Sequence, residues 1–207
     1  MIRAVLFDFG RVISAPKPPH LFHLYEKELG LAPDTINSIM FDSPLWQQAL
    51  VGKLGMSAFW QAIGPQLNLT SQRQLATFQQ RYYRDEKINL TVLGLIKQLT
   101  KNHQLAIVSN HPPGLKRWLE DWHIDNLFDA VICSGDEGVA KPDSTIFILA
   151  LKRLGVTAPE TLFIDDTKEH VLAARALGMY GHHFTSAAEL QLDLETYGIL
   201  GHESSHI

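Results

Sequence analysis

Four short stretches of the chain carry side chains that suit one chemistry: Asp8-Phe9-Gly10, Ser109-Asn110, Lys141-Pro142 and Asp165-Asp166. Brought together, Asp8, Asp165 and Asp166 would repel one another and raise one another's pKa. Such a cluster persists when a divalent cation sits among its oxygens, and two or three protein oxygens completed by water suit Mg²⁺. Lys141 adds a second positive charge and Ser109 a small hydroxyl. Carboxylate, cation, lysine and hydroxyl together form a receptor for a phosphate. A carboxylate in line with the phosphorus can attack it and form an aspartyl-phosphate. Each residue also has a plain structural reading. Asp8 would be a turn residue, and Ser109 and Asn110 the start of a loop. Asp166 with Glu169 would be a capping box, and Lys141 a solvated side chain ahead of a proline at a first helical position.

A parallel sheet would bring these residues together, because ligands bind such sheets beyond the C-terminal ends of the strands. Apolar runs of strand length cover Ala4 to Phe7, Leu105 to Val108, Ala130 to Cys133 and Leu162 to Ile164, with a weaker one from Tyr180 to Phe184. Asp8 follows the first, Ser109-Asn110 the second and Asp165-Asp166 the fourth. Lys141 lies downstream of the third, just before a helical pattern. Amphipathic stretches cover Thr91 to Thr100, Pro142 to Leu154 (with Gly155 as its C′ residue) and Thr167 to Leu177 (closed by Gly178). Alternating strands and helices predict an α/β fold: a Rossmann-like, mainly parallel sheet flanked by helices. From Ile13 to Ile88 the rhythm breaks. A proline-rich hinge, Pro16 to Pro19, leads into helical patterns at Leu21 to Leu29, Pro33 to Met40, Met56 to Ile63 and Ser71 to Arg81, with no clear strand. The expected organisation is a core of residues 1–13 and 90–200, an all-helical cap over 14–89, and a tail over 201–207. His202 and His206 in that tail read as an exposed pair rather than a metal site.

Bulk composition agrees. With 207 residues, 45% apolar and 19% charged, the chain can bury a core and fits one domain plus an insertion. Its net charge of −4 offers no basic field for nucleic acid. No apolar run approaches the roughly 20 residues that span a membrane, and the N-terminus has no signal-peptide layout. The one cysteine, Cys133, lies in an apolar run and reads as a buried, inert thiol in a reducing cytoplasm. Asn68-Leu69-Thr70 and Asn89-Leu90-Thr91 match the glycosylation pattern by chance. Oligomeric state is not legible.

In their order and spacing the four stretches resemble the four motifs of the haloacid dehalogenase-like (HAD) hydrolases. Leu6-Phe7-Asp8-Phe9-Gly10-Arg11-Val12-Ile13 is similar to the first, Ser109 after Ala-Ile-Val to the second, Lys141 in Gly138 to Asp143 to the third, and Phe163 to Met179 to the fourth. The insertion sits where that family places a helical cap. Residues Trp46 to Trp60 resemble cap sequence of sugar-phosphate phosphatases and of the N-terminal domain of soluble epoxide hydrolase. The resemblance implies Asp8 as nucleophile and Mg²⁺ ligand, the Gly10 carbonyl as a second ligand, and Asp166 as a third, with Asp165 beside it as ligand or support. Ser109 and the Asn110 backbone would hold phosphate oxygens, and Lys141 would balance charge on phosphate and Asp8. The implied activity is Mg²⁺-dependent hydrolysis of a small phosphorylated metabolite.

One departure is Gly10. Most phosphatases of the family carry an aspartate there as general acid and base, help worth about 10²–10⁴-fold, although some relatives share Asp-x-Gly. Substitute acids would be His111, His20 or His23. Arg11 either meets a phosphate or faces solvent. Trp46, Phe59 and Trp60 either line the substrate site or form cap core. Two other functions compete. A metal-independent dehalogenase is disfavoured by the Asp165-Asp166 pair, and a catalytically weak binding protein rests on Gly10 alone. A mutase is disfavoured by the missing acid.

Overall fold

The computed structural model describes residues 1–200, so the expectation about His202 and His206 lies outside the described residues. Five parallel strands form the central sheet: β1 (Ala4–Phe7), β4 (Gln104–Ser109), β5 (Ala130–Cys133), β6 (Thr161–Asp165) and β7 (Tyr180–His183). Their order is β5-β4-β1-β6-β7. The chain runs outward from β1 through β4 to β5, then crosses back to lay β6 on the other side of β1. The strand order therefore reverses at β1, where open α/β sheets form their binding crevice.

Both faces of the sheet are covered, which is why its strands read as continuous apolar runs. Alternate residues point to opposite sides. Val5, Phe7, Leu105, Ile107, Leu162 and Ile164 face one layer, formed by α6 (Leu90–Leu99), α7 (Leu115–Asp121) and α11 (Ala187–Thr196). Ala4, Leu6, Ala106, Val108 and Phe163 face the other, formed by α9 (Ser144–Leu154) and α10 (Lys168–Ala176). A one-turn helix, α8 (Ser134–Glu137), follows β5.

Between residues 14 and 88 the chain leaves the sheet for α1 (Pro19–Leu29), α2 (Thr35–Phe41), α3 (Pro44–Leu50), α4 (Met56–Ile63) and α5 (Gln72–Arg84). Local chemistry starts these helices. Ser43 caps α3 by accepting from the Trp46 N–H, with Pro44 at the first position, and Ser71 and Gln74 form a capping box on α5. The segment buries its own aromatic core of Tyr25, Phe59, Trp60, Phe78 and Tyr82, against which Trp46 packs. Phe59 and Trp60 are thus core of the segment, one of the two readings their sequence allowed. No strand is legible there, yet β2 (Ser14–Ala15) pairs antiparallel with β3 (Lys87–Ile88). Strands of two residues are too short to display a period. The pair lays the outgoing and returning chains side by side, and Lys17 pairs with Glu86 just beyond it. Among the described residues no helix is long and apolar enough to cross a membrane.

Candidate active site

The strand register determines where the chemistry-bearing residues emerge. Phe7 faces Ile107 on β4 and Ile164 on β6. Asp8, Ser109 and Asp165 therefore leave three adjacent strands at one edge, with Asp166 following. Ligand oxygens of Asp8, Asp165 and Asp166 all lie within 4.8 Å of one another.

Lys141 reaches this cluster from the loop ahead of α9. Its Nζ donates to Asp8 Oδ1 at 2.7 Å and to Asp165 Oδ2 at 2.6 Å. The solvated-lysine reading fails: the Lys141 side chain is 1% exposed, and that of Asp165 0%. Pro142 does not open the helix either. The helix starts at Ser144, where Asp143 accepts from the Thr145 N–H at 2.8 Å. Asn110 holds the lysine in place through its side chain. Its Nδ2 donates to the Lys141 carbonyl at 2.8 Å, and its Oδ1 accepts from the Lys141 N–H at 2.7 Å.

Asp165 has further donors. The Thr167 N–H donates to its Oδ1 at 2.7 Å, and His170 Nδ1 lies 3.1 Å from Oδ2. A carboxylate only accepts, so that nitrogen carries the proton. The alternative reading of Asp166 with Glu169 as a capping box fails. Thr167 occupies the N-cap, without a side-chain cap bond, and it is Asp165 that takes the amide. Asp166 instead pairs with Arg11, Nη1 to Oδ2 3.1 Å.

The charges oppose burial. Burial pushes the Asp8 carboxyl above the ordinary carboxylate range, with Lys141 pulling it back and Asp165 adding to the rise. Burial also works against the Asp165 anion, but the His170 hydrogen bond and the Lys141 charge outweigh it and hold that carboxyl low. For Lys141, burial is outweighed by Asp8 and Asp165, and the ammonium is held above its usual range.

Gly10 lies in the irregular turn Phe9–Ile13 with φ −66° and ψ 127°. Phe9 anchors that turn, stacked on Trp122 at 5.5 Å and edge-on to His111 at 5.8 Å. His111 Nδ1 lies 2.7 Å from the Pro112 carbonyl, which makes Nδ1 the protonated nitrogen. Burial lowers the pKa of this ring, the Pro112 bond opposing only in part. At neutral pH it is uncharged and unsuited to act as an acid. His20 and His23 are exposed on α1, and His23 lies 3.7 Å from Asp34. Burial pushes the Cys133 thiol up to about 11, in keeping with an inert thiol.

The helical segment meets the sheet edge beside β5. Ser134 Oγ donates to the Leu50 carbonyl at 2.5 Å. Gly52, with φ +70°, lies so close to the Gly135 carbonyl that a Cβ there would come within 2.2 Å of it.

Residues 2–178 match the model of the haloacid dehalogenase-like hydrolases. The chain belongs to this family. It is 29% identical over 195 residues to a sesquiterpene phosphatase of Aspergillus oryzae, covering 93% of this chain and 94% of that protein. It is 27% identical over 192 residues to a D-ribitol-5-phosphate phosphatase of Bacteroides thetaiotaomicron, covering 86% and 89%. A solved HAD-family enzyme from Bacteroides thetaiotaomicron, in complex with magnesium and inorganic phosphate, superposes with a TM-score of 0.73 at 19% identity, over 89% of this chain and 95% of that one. At that identity the likeness establishes the fold.

Sequence reasoning overlooked three contacts: the Asn110 clamp, His170 on Asp165, and Arg11 on Asp166. His170 had a signal. Side chains in the first turn of a helix lean back toward its N-terminus, and so toward the strand end that precedes it. The other two depend on loop geometry and left none.

Proposed function

We propose that this HAD-like hydrolase is a Mg²⁺-dependent phosphatase that hydrolyses a small phosphorylated metabolite through an aspartyl-phosphate on Asp8. The observation that carries the reading is the Lys141 bridge from Asp8 to Asp165, with Asp166 completing an all-oxygen cluster where the strand order reverses. Hard oxygen donors fit Mg²⁺. Asp8, the Gly10 carbonyl and Asp166 would hold it. Asp165, whose oxygens already accept from Lys141, Thr167 and His170, suits orienting support better than direct ligation. A divalent cation in this place supplies positive charge to the phosphoryl oxygens.

The protein's own part follows from the geometry. Lys141 engages Asp8 Oδ1, which leaves Oδ2 as the attacking atom. Attack forms the Oδ2–P bond as the ester P–O bond breaks, and the leaving alkoxide takes its proton from solvent because Gly10 carries no acid. Water then attacks phosphorus, the P–Oδ2 bond breaks and the water's proton passes back to solvent, releasing inorganic phosphate and restoring the Asp8 carboxylate. Ser109 and the Asn110 backbone bind phosphoryl oxygens, and Lys141 offsets the charge that develops on them. Residues 14–89 act as a cap that excludes water, a role supported by the Leu50–Ser134 contact beside the site. The relatives' names speak of a sesquiterpene and of D-ribitol 5-phosphate. Their common element is the phosphoester, which agrees with a shared sheet edge and a variable cap. The single buried thiol suits a reducing cytoplasm.

The test is hydrolysis of an aryl phosphate and of a panel of phosphorylated metabolites, with Mg²⁺ and with excess chelator. Activity should vanish on chelation and in Asp8→Asn. Undiminished turnover with chelator present would overturn the metal dependence. Metal-free halide release from a 2-haloacid would assign dehalogenase chemistry instead.

A further inference from the structure

Of the three clustered carboxylates, Asp8 and Asp165 share the buried Lys141. Asp166 has a different cation. Its one charged partner among the described residues is Arg11, 3.1 Å away. The two cations are unlike. Lys141 is enclosed, whereas the Arg11 side chain is 72% exposed and that of Asp166 only 16%. Arg11 also has φ 61° and ψ 3°, a left-handed backbone that disfavours any residue with a Cβ. An ion pair this exposed adds little stability, so folding alone gives no reason for arginine at a position that suits glycine. The side chain has somewhere to go. Arg11 and Asp166 border a cavity of about 270 Å³ that Pro16, Asn89, Phe184 and Thr185 also line.

We infer that Arg11 is a tethered counter-ion for Asp166: it neutralises that carboxylate when no divalent cation is there, swings into the adjoining cavity when one binds, and so sets the cation affinity lower than the carboxylates alone would give. The inference rests on the reading of Asp166 as a cation ligand. A guanidinium at 3.1 Å competes in two ways. It must give up its own partner, and it repels a dication arriving at the same oxygens. Its long, solvated side chain lets it withdraw without disturbing the strand ends. With Arg11 in place the cation-free cluster is one charge less negative than its carboxylates and Lys141 alone would make it, and cation release does not leave Asp166 as an uncompensated anion beside two others.

The experiment is calorimetric titration of the full chain with MgCl₂ at low ionic strength, comparing wild type, Arg11→Met and Arg11→Lys, with folding checked by circular dichroism. Arg11→Met keeps the aliphatic bulk and the backbone demand but removes the charge. Its Kd for Mg²⁺ should be tighter roughly three- to tenfold, the scale of one partly screened charge. Arg11→Lys should stay near wild type. Should Arg11→Met not fold, Arg11→Gly is read in its place. An unchanged or weaker Kd in the charge-free variant would overturn the inference, as would equal tightening in Arg11→Lys. If neither wild type nor any variant takes up Mg²⁺ saturably, the proposed metal site fails and the counter-ion role with it. Uptake by wild type with no change in the variants would sink the counter-ion alone.

Discussion

At position 10 the backbone is one that any residue adopts, and a Cβ built on Gly10 meets nothing nearer than Asp8 Oδ2 at 3.9 Å. The backbone and Cβ of an aspartate are therefore accommodated without strain. Leaving-group protonation matters most for poor leaving groups. Gly10→Asp should raise hydrolysis of alkyl phosphates by up to about 10²–10⁴-fold, with little gain on aryl phosphates, in a matched rate comparison. Fast alkyl-ester hydrolysis by wild type would show that another acid already serves. His111 is poorly equipped for that role, being neutral with its proton committed to Pro112. Lys141 allows a second prediction. Replaced by Met, it leaves two buried carboxylates without their cation, which costs about 3–5 kcal/mol when one partner of a buried pair is removed. In wild type the Asp165 pKa is depressed, so its stabilisation is present above the ordinary carboxylate range and fades as pH falls through the lowered value. Without Lys141, burial acts on Asp8 unopposed and its carboxyl would titrate still higher, while His170 and the Thr167 amide continue to support the Asp165 anion. The Asp8 destabilisation would be full at neutral pH and relieved on acidification. Denaturant melts of Lys141→Met should thus fall well below wild type at neutral pH and converge toward it as the pH is lowered. A constant gap would mean the lysine charge plays no part in stability.

Among the elements, strands were easier to read than helices. The five sheet strands are covered on both faces, so their apolar runs stand out within a residue or two of their true ends. Helices α3, α7 and α11 escaped notice. The first two are only seven residues long, and α11 is a weakly amphipathic helix with exposed Leu192. The candidate site was legible as a set of residues because Asp8, Ser109 and Asp165 stand at strand ends and Lys141 stands just ahead of a helix. Its wiring was not, since Asn110 to Lys141 and Arg11 to Asp166 join loops far apart in sequence. The junction between α3 and α8 is open to a direct test. Gly52 has φ +70°, and its Cβ would collide with the Gly135 carbonyl. Gly52→Ala should cost about 1–2 kcal/mol through the left-handed backbone alone and push the helical segment away from the sheet edge. KM should rise, while calorimetry still shows a cooperative transition. Wild-type KM would show that this contact does not hold the segment over the site.

On the scale of the whole molecule, the hydrophobic interior of the described residues comes in three parts. The two that sandwich the sheet contain no residue between 16 and 86, and the third lies wholly within that stretch. Ser14 faces Ile88 and Ala15 faces Lys87, so the chain departs and returns within one inter-strand spacing, about 5 Å. Such a junction works as a socket. Residues 16–86 can be excised and Ala15 joined to Lys87 by an Asn-Gly hairpin turn, and the shortened chain should still unfold cooperatively with its α/β circular dichroism intact. A molten product would show that the two parts are not separable. If it folds, the same socket accepts any helical insert whose ends lie a strand's width apart. Lineages of this architecture can then exchange what surrounds the substrate while Asp8, Lys141 and Asp165 stay as they are.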